Sequence, residues 1–144
     1  MGRCFLDSSA LVKRYILEKG TAPVVDMVAG PDRLTVSRLA WVEVTATLVR
    51  RARGGDLSTD ALGDILRQLE EELRTRFDVI ELGAATITRS VDLVRAHALR
   101  AADGIQLACA LLAQGDALIF VSSDGQLNAA AAREGFTVLD PCDA

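Results

Sequence analysis

Short apolar runs alternate along the chain with longer segments whose apolar residues recur every three or four positions. The runs fall at residues 4–6, 34–36, 79–82, 118–121 and 136–139 and read as strands. The periodic segments cover 9–19, 22–29, 39–53, 60–77, 86–100, 104–114 and 125–133 and read as helices. Alternation sustained from end to end predicts an α/β fold. Its central parallel sheet of about five strands is covered on both faces, giving a three-layer α/β/α sandwich.

Two of these helices carry more information than the rest. In 60–77, Leu62, Leu66, Leu69, Leu73 and Phe77 line one face, with Ser58 or Thr59 as N-cap. It follows helix 39–53 after only Gly54-Gly55-Asp56, so the pair is expected to form an αα-hairpin standing on the sheet. Helix 104–114 is apolar all round, through Ile105, Leu107, Ala108, Cys109, Ala110, Leu111 and Leu112, and should be central and buried.

Composition narrows the class. The chain has 144 residues, 50% hydrophobic and 25% charged, which suits a single domain spanning 1–144 and excludes disorder. Its longest uncharged stretch, 104–115, is well short of the ~20 residues that a membrane-spanning helix needs. A net charge of −4 excludes a basic nucleic-acid coat, although a local basic edge stays open. Cys4 and Cys109 sit in apolar runs, Cys142 lies apart, and no C-x-x-C spacing occurs. The cysteines therefore read as reduced, zinc is not indicated, and a cytoplasmic location is expected. The opening Met-Gly-Arg-Cys-Phe-Leu has no signal-peptide shape, and Leu6 stands where myristoylation wants Ser or Thr.

Ligands of open parallel sheets bind beyond the carboxyl ends of the strands. Asp7 directly follows the first strand, and Asp124 follows the fourth after two serines. Either acid would equally suit the N-terminus of its own helix. Glu43 lies in an apolar helical stripe, where a carboxylate is costly unless it pairs with Arg50 or another helix, or binds a cation. Asp103-Gly-Ile-Gln106 has capping-box spacing, with Asp103 as N-cap and Gln106 at the third helical position. Four such carboxylates in one cavity would repel unless protonated or bridged by cations. Oxygen donors without His or Cys nearby point to Mg²⁺ or Mn²⁺, and such a cluster suits phosphodiester hydrolysis.

The opening Phe5-Leu-Asp-Ser-Ser-Ala-Leu-Val-Lys-Arg-Tyr15 resembles the first signature of PIN-domain nucleases, in particular VapC-type toxins of toxin–antitoxin pairs. Three further blocks are similar and in the same order: the Glu43 helix, Arg100-Ala-Ala-Asp-Gly-Ile-Gln-Leu-Ala108, and Phe120-Val-Ser-Ser-Asp-Gly-Gln-Leu-Asn-Ala129. The resemblance implies a PIN-like sandwich and an Mg²⁺- or Mn²⁺-dependent endoribonuclease. It makes Asp7 and Asp103 the principal metal ligands, with Asp124 completing the site directly or through water, and Glu43 the residue that holds or activates a metal-bound water. The family's hydroxyl near the fourth acid maps onto Ser122 or Ser123. The implied partners are an RNA substrate, a cognate antitoxin protein and a second copy in a homodimer, with no membrane. One departure is Gly104, where relatives more often have Ala. A PIN module that binds RNA or protein without catalysis is the alternative. A haloacid-dehalogenase-like phosphotransferase would want Asp where Ser9 stands.

Other residues keep two readings. Ser8 and Ser9 suit ordinary N-capping, or the steadying of Asp7 and a phosphate. Lys13 and Arg14 suit phosphate contact or a solvated face, and Asn128 suits a bond to Asp7 or Asp124 or simple exposure. Arg50, Arg51 and Arg53 guide RNA or complement a helix C-terminus. His97 reads as a partly buried helix residue and Trp41 as packing.

Overall fold

The computed structural model describes residues 2–113 and 117–143. Five strands form one parallel sheet: β1 (Arg3–Leu6), β2 (Arg33–Ser37), β3 (Phe77–Ile80), β4 (Leu118–Val121) and β5 (Thr137–Leu139). The helices are α1 (Ser8–Leu11), α2 (Thr21–Ala29), α3 (Arg38–Arg53), α4 (Thr59–Thr75), α5 (Ala84–His97), α6 (Ala101–Leu112) and α7 (Gly125–Arg133).

The spatial order is β3-β2-β1-β4-β5, with Cys4 paired to Leu34 on one side and Ile119 on the other. The chain builds outward from β1 to β3, then returns to lay β4 against the opposite side of β1. Order therefore reverses between β1 and β4. Beyond the carboxyl ends of such a strand pair lies the crevice where open α/β sheets bind ligands.

Side chains alternate across the sheet and divide the core in two. Cys4, Leu6, Leu34, Val36 and Val121 pack with buried residues of α1 to α4. Phe5 and Phe120, stacked with centroids 5.6 Å apart, pack with α5, α6 and α7. This is the three-layer sandwich that the alternation predicts. The α3–α4 hairpin is present, with Ser58 capping α4 through a 3.1 Å bond from Ala61 N and with Leu69 and Leu73 buried. Helix α6 buries Leu107, Ala108, Cys109 and Ala110, as expected of a central helix. The end expected for it at Gln114 lies outside the described residues. Among the described residues no helix is long and apolar enough to cross a membrane.

Several boundaries differ from expectation, among them the end of α5 at His97 rather than 100, and three have a visible cause. The helix expected over 9–19 is a single α-turn followed by a 3-10 turn at Val12–Arg14. Thr21 Oγ1 donates to Ile16 O and accepts from Glu18 N, both at 3.0 Å. These bonds fold the chain back ahead of Gly20, whose φ of 91° suits glycine. Phe77, expected to end a helix, instead opens β3 opposite Leu34. The Arg76 guanidinium grips the carbonyls of Val28, Gly30 and Asp32 and turns the chain from helix to sheet one residue earlier. Helix α6 begins at Ala101 rather than at 104, with Arg100 as the N-cap residue and Gly104 N donating to Arg100 O at 3.0 Å.

Candidate metal and nuclease site

Asp7 leaves β1 in extended conformation and caps α1. Its Oδ1 accepts from Ala10 N at 3.0 Å and Ser9 Oγ at 2.7 Å, while Oδ2 accepts from Ser122 Oγ at 2.8 Å. The residue is only 4% exposed. Burial pushes its carboxyl up to about 6, against the lowering effect of those three bonds and with a further push from Asp124.

Glu43 reaches the same region from α3. Ser8 Oγ donates to its Oε1 at 2.7 Å, and Gln106 Nε2 donates to the same oxygen at 2.9 Å. The Gln106 amide also donates to Ser8 Oγ at 2.8 Å. Three elements are thus tied at one carboxylate. Arg50, the ion-pair partner that sequence suggested, bonds Thr47 Oγ1 instead.

Asp103 sits in the first turn of α6, and Asp124 caps α7 through Leu127 N at 3.0 Å. The guanidinium of Arg100 lies 3.4 Å from Asp103 Oδ2 and 3.3 Å from Asp124 Oδ2. Burial, and then Asp124, raise the Asp103 carboxyl above its ordinary range, and Arg100 opposes them. The capping box expected here does not form. Arg100 holds the N-cap position, and the Gln106 side chain turns to Glu43 and Ser8 rather than back along the helix.

All four acids line one cleft of about 310 Å³, together with Ser8, Ser9, Arg50, Arg100 and Gln106. Of the other candidates, Lys13 pairs with Glu18 at 2.9 Å and Arg14 forks onto Glu72 at 2.9 and 3.3 Å, and neither lines the cleft. Asn128 Nδ2 donates to Ser122 O, which steadies the loop but meets neither Asp7 nor Asp124. Of Ser122 and Ser123, it is Ser122 whose hydroxyl reaches Asp7. Ser123 Oγ donates to Asp140 at 2.9 Å, and its backbone N donates to Ser9 Oγ. Arg51 pairs with Asp56, and His97 meets Glu134 at 2.7 Å. Trp41 is not core packing; it is exposed and lies beneath Arg38.

Gln106 and Arg100 are the residues that sequence reasoning left without a role here. Their signal was spacing, since each lies three residues from Asp103 and so shares its side of the helix.

The donor set is entirely oxygen and fits a hard divalent cation of the Mg²⁺ or Mn²⁺ kind. Among the described residues no three Asp, Glu, His or Cys side chains are already arranged around a common metal position. Serine hydroxyls and a backbone amide bond Asp7, and the Arg100 guanidinium lies between Asp103 and Asp124.

The sequence matches the PIN domain model over residues 4–133. This chain belongs to the PIN-domain family. It is 36% identical over 141 residues to Ribonuclease VapC45 of Mycobacterium tuberculosis, covering 95% of this chain and 97% of that relative. Two solved structures share this PIN fold at lower identity. A toxin–antitoxin complex from Klebsiella pneumoniae has a TM-score of 0.66 at 20% identity, covering 96% of this chain and 97% of that one. VapC20 of Mycobacterium tuberculosis, described as a Sarcin-Ricin loop cleaving toxin, has a TM-score of 0.70 at 16% identity, with 93% and 96% covered.

Proposed function

We propose that this PIN chain is a divalent-metal-dependent endoribonuclease and the toxin of a toxin–antitoxin pair, working in the cytoplasm as one nuclease domain. The observation that carries the reading is a single cleft, at the β1/β4 switch point, lined by Asp7, Glu43, Asp103 and Asp124 from four separate elements. The relative named a ribonuclease, similar along nearly the whole chain, supports the choice of RNA.

Asp7 and Asp103 would be the principal ligands in this reading, with Asp124, whose Oδ1 accepts from Leu127 N, completing the set directly or through water. Bound Mg²⁺ or Mn²⁺ would supply charge stabilisation to the phosphate and an acidified water. Ser122 and Ser9 hold the Asp7 carboxylate in one orientation. Ser8 and Gln106 both bond Oε1 of Glu43, and its other oxygen would serve as proton acceptor for an attacking water.

Cleavage of a mixed RNA pool tests this directly. Activity should require Mn²⁺ or Mg²⁺, stop with EDTA and be lost in Asp7→Asn and Asp103→Asn, while His97→Ala retains it. Undiminished cleavage by folded Asp103→Asn protein would refute the assignment.

The antitoxin complexes among the solved structures support a protein partner for this chain. A short antitoxin would lay apolar residues beside α1 and the α3–α4 hairpin and direct an Arg or Lys at the carboxylates of a homodimeric toxin. Co-purification of such a partner without loss of nuclease activity would contradict it.

A further inference from the structure

Arg100 occupies the N-cap position of α6, yet its side chain caps nothing. That side chain is 78% exposed, and its partners among the described residues are Asp103 on α6 and Asp124 at the start of α7. It spans two carboxylates that face one cleft and repel each other. Both bonds are long, at 3.4 and 3.3 Å, and exposed pairs of this kind are weak.

A divalent ion outcompetes such a contact. It carries twice the charge and takes carboxylate oxygens at roughly 2.1 Å. A guanidinium released from the two acids stays on the rim of the same cleft, tethered at the first turn of α6. Its planar fork matches a phosphate bidentately. A polyanion entering a cleft lined by four acids, in a chain of net charge −4, needs cationic groups at the rim; Arg50 and Arg100 both line it, and it is Arg100 that bonds the carboxylates.

Resting on the nuclease reading above, we propose that Arg100 is the resident counter-cation of the cleft and its phosphate-binding residue. It holds Asp103 and Asp124 together in the metal-free protein, yields them to the divalent ion, and then grips the RNA backbone.

The test compares wild type, Arg100→Gln and Arg100→Lys by Mn²⁺ titration calorimetry without RNA, and by steady-state cleavage of an RNA oligonucleotide at saturating Mn²⁺. Gln removes the charge without removing a cap, so the fold is not at stake. Arg100→Gln should bind Mn²⁺ on the order of three- to tenfold more tightly. Its KM for RNA should rise roughly tenfold, with kcat changed much less. Lys should restore most of both properties. Either an unchanged or weaker Mn²⁺ affinity, or an unchanged KM, in Arg100→Gln overturns the inference. Wild type that neither binds Mn²⁺ nor cleaves RNA overturns the nuclease reading itself, and the two failures are therefore separable.

Discussion

The side-chain amide of Gln106 donates to Oε1 of Glu43 at 2.9 Å, bridging α6 to α3 across the floor of the cleft. Gln106 is only 2% exposed, and its Oε1 is buried without a partner among the described residues. A buried amide that leaves its own acceptor unmatched is costly. The arrangement places Glu43 at the expense of Gln106.

Gln106→Leu keeps the volume and removes the donor. Relieving the unmatched oxygen offsets the lost bonds, so stability should change by no more than about 1 kcal/mol. The catalytic rate should fall roughly tenfold or more, because Glu43 is then held by Ser8 alone, while KM for RNA moves less. Paired thermal melts and cleavage kinetics check this, and a KM effect without a kcat effect would contradict it.

Asp7 makes metal-free stability depend on pH in a defined direction. Its carboxyl titrates at about 6 in the folded chain against an ordinary 3.8, so the native state holds this proton more tightly than the unfolded chain. The stabilisation is complete below 3.8 and is lost as pH rises through 6, a difference of about 3 kcal/mol. Asp7→Asn stays neutral throughout. In EDTA, its melting temperature should gain on wild type between pH 4 and pH 7. Parallel melting curves across that range would contradict the prediction.

The sheet and the placement of three of the acids were legible from local rules, while Asp103 joined them only through the family resemblance. Strand-end placement located Asp7 and Asp124, and a carboxylate in an apolar stripe located Glu43. What was not legible depended on partners distant in sequence. Nothing near Arg14 announces that Glu72, 58 residues away, will take its guanidinium. Capping-box spacing and a shared helix face look identical in sequence. Only the early start of α6 at Ala101 decides that Gln106 serves Glu43 and not the helix end.

Gly104 lies where α6 packs tightly against α5. A Cβ there would stand 2.5 Å from Val94 Cγ2 and 3.2 Å from Ser90 O. Alanine's better helix propensity, worth up to about 1 kcal/mol, is outweighed by overpacking of about 1–3 kcal/mol. Gly104→Ala should therefore lower the melting temperature in the wild-type background and raise it in Val94→Ala. Stabilisation in both backgrounds would show that the contact is not limiting.

The central claim is that the four acids share one divalent-metal site, and thermal melts with EDTA and with Mn²⁺ test it most directly. The folded site binds the ion and the unfolded chain does not, so Mn²⁺ should stabilise wild type by about 2.7 kcal/mol at a hundredfold excess over Kd. That is a rise of several degrees for a chain of this size. The rise should largely vanish in both Asp7→Asn and Asp103→Asn, although neither variant melts below wild type in EDTA at pH 7. An equal Mn²⁺ shift in all three proteins would mean that these carboxylates do not form a common site.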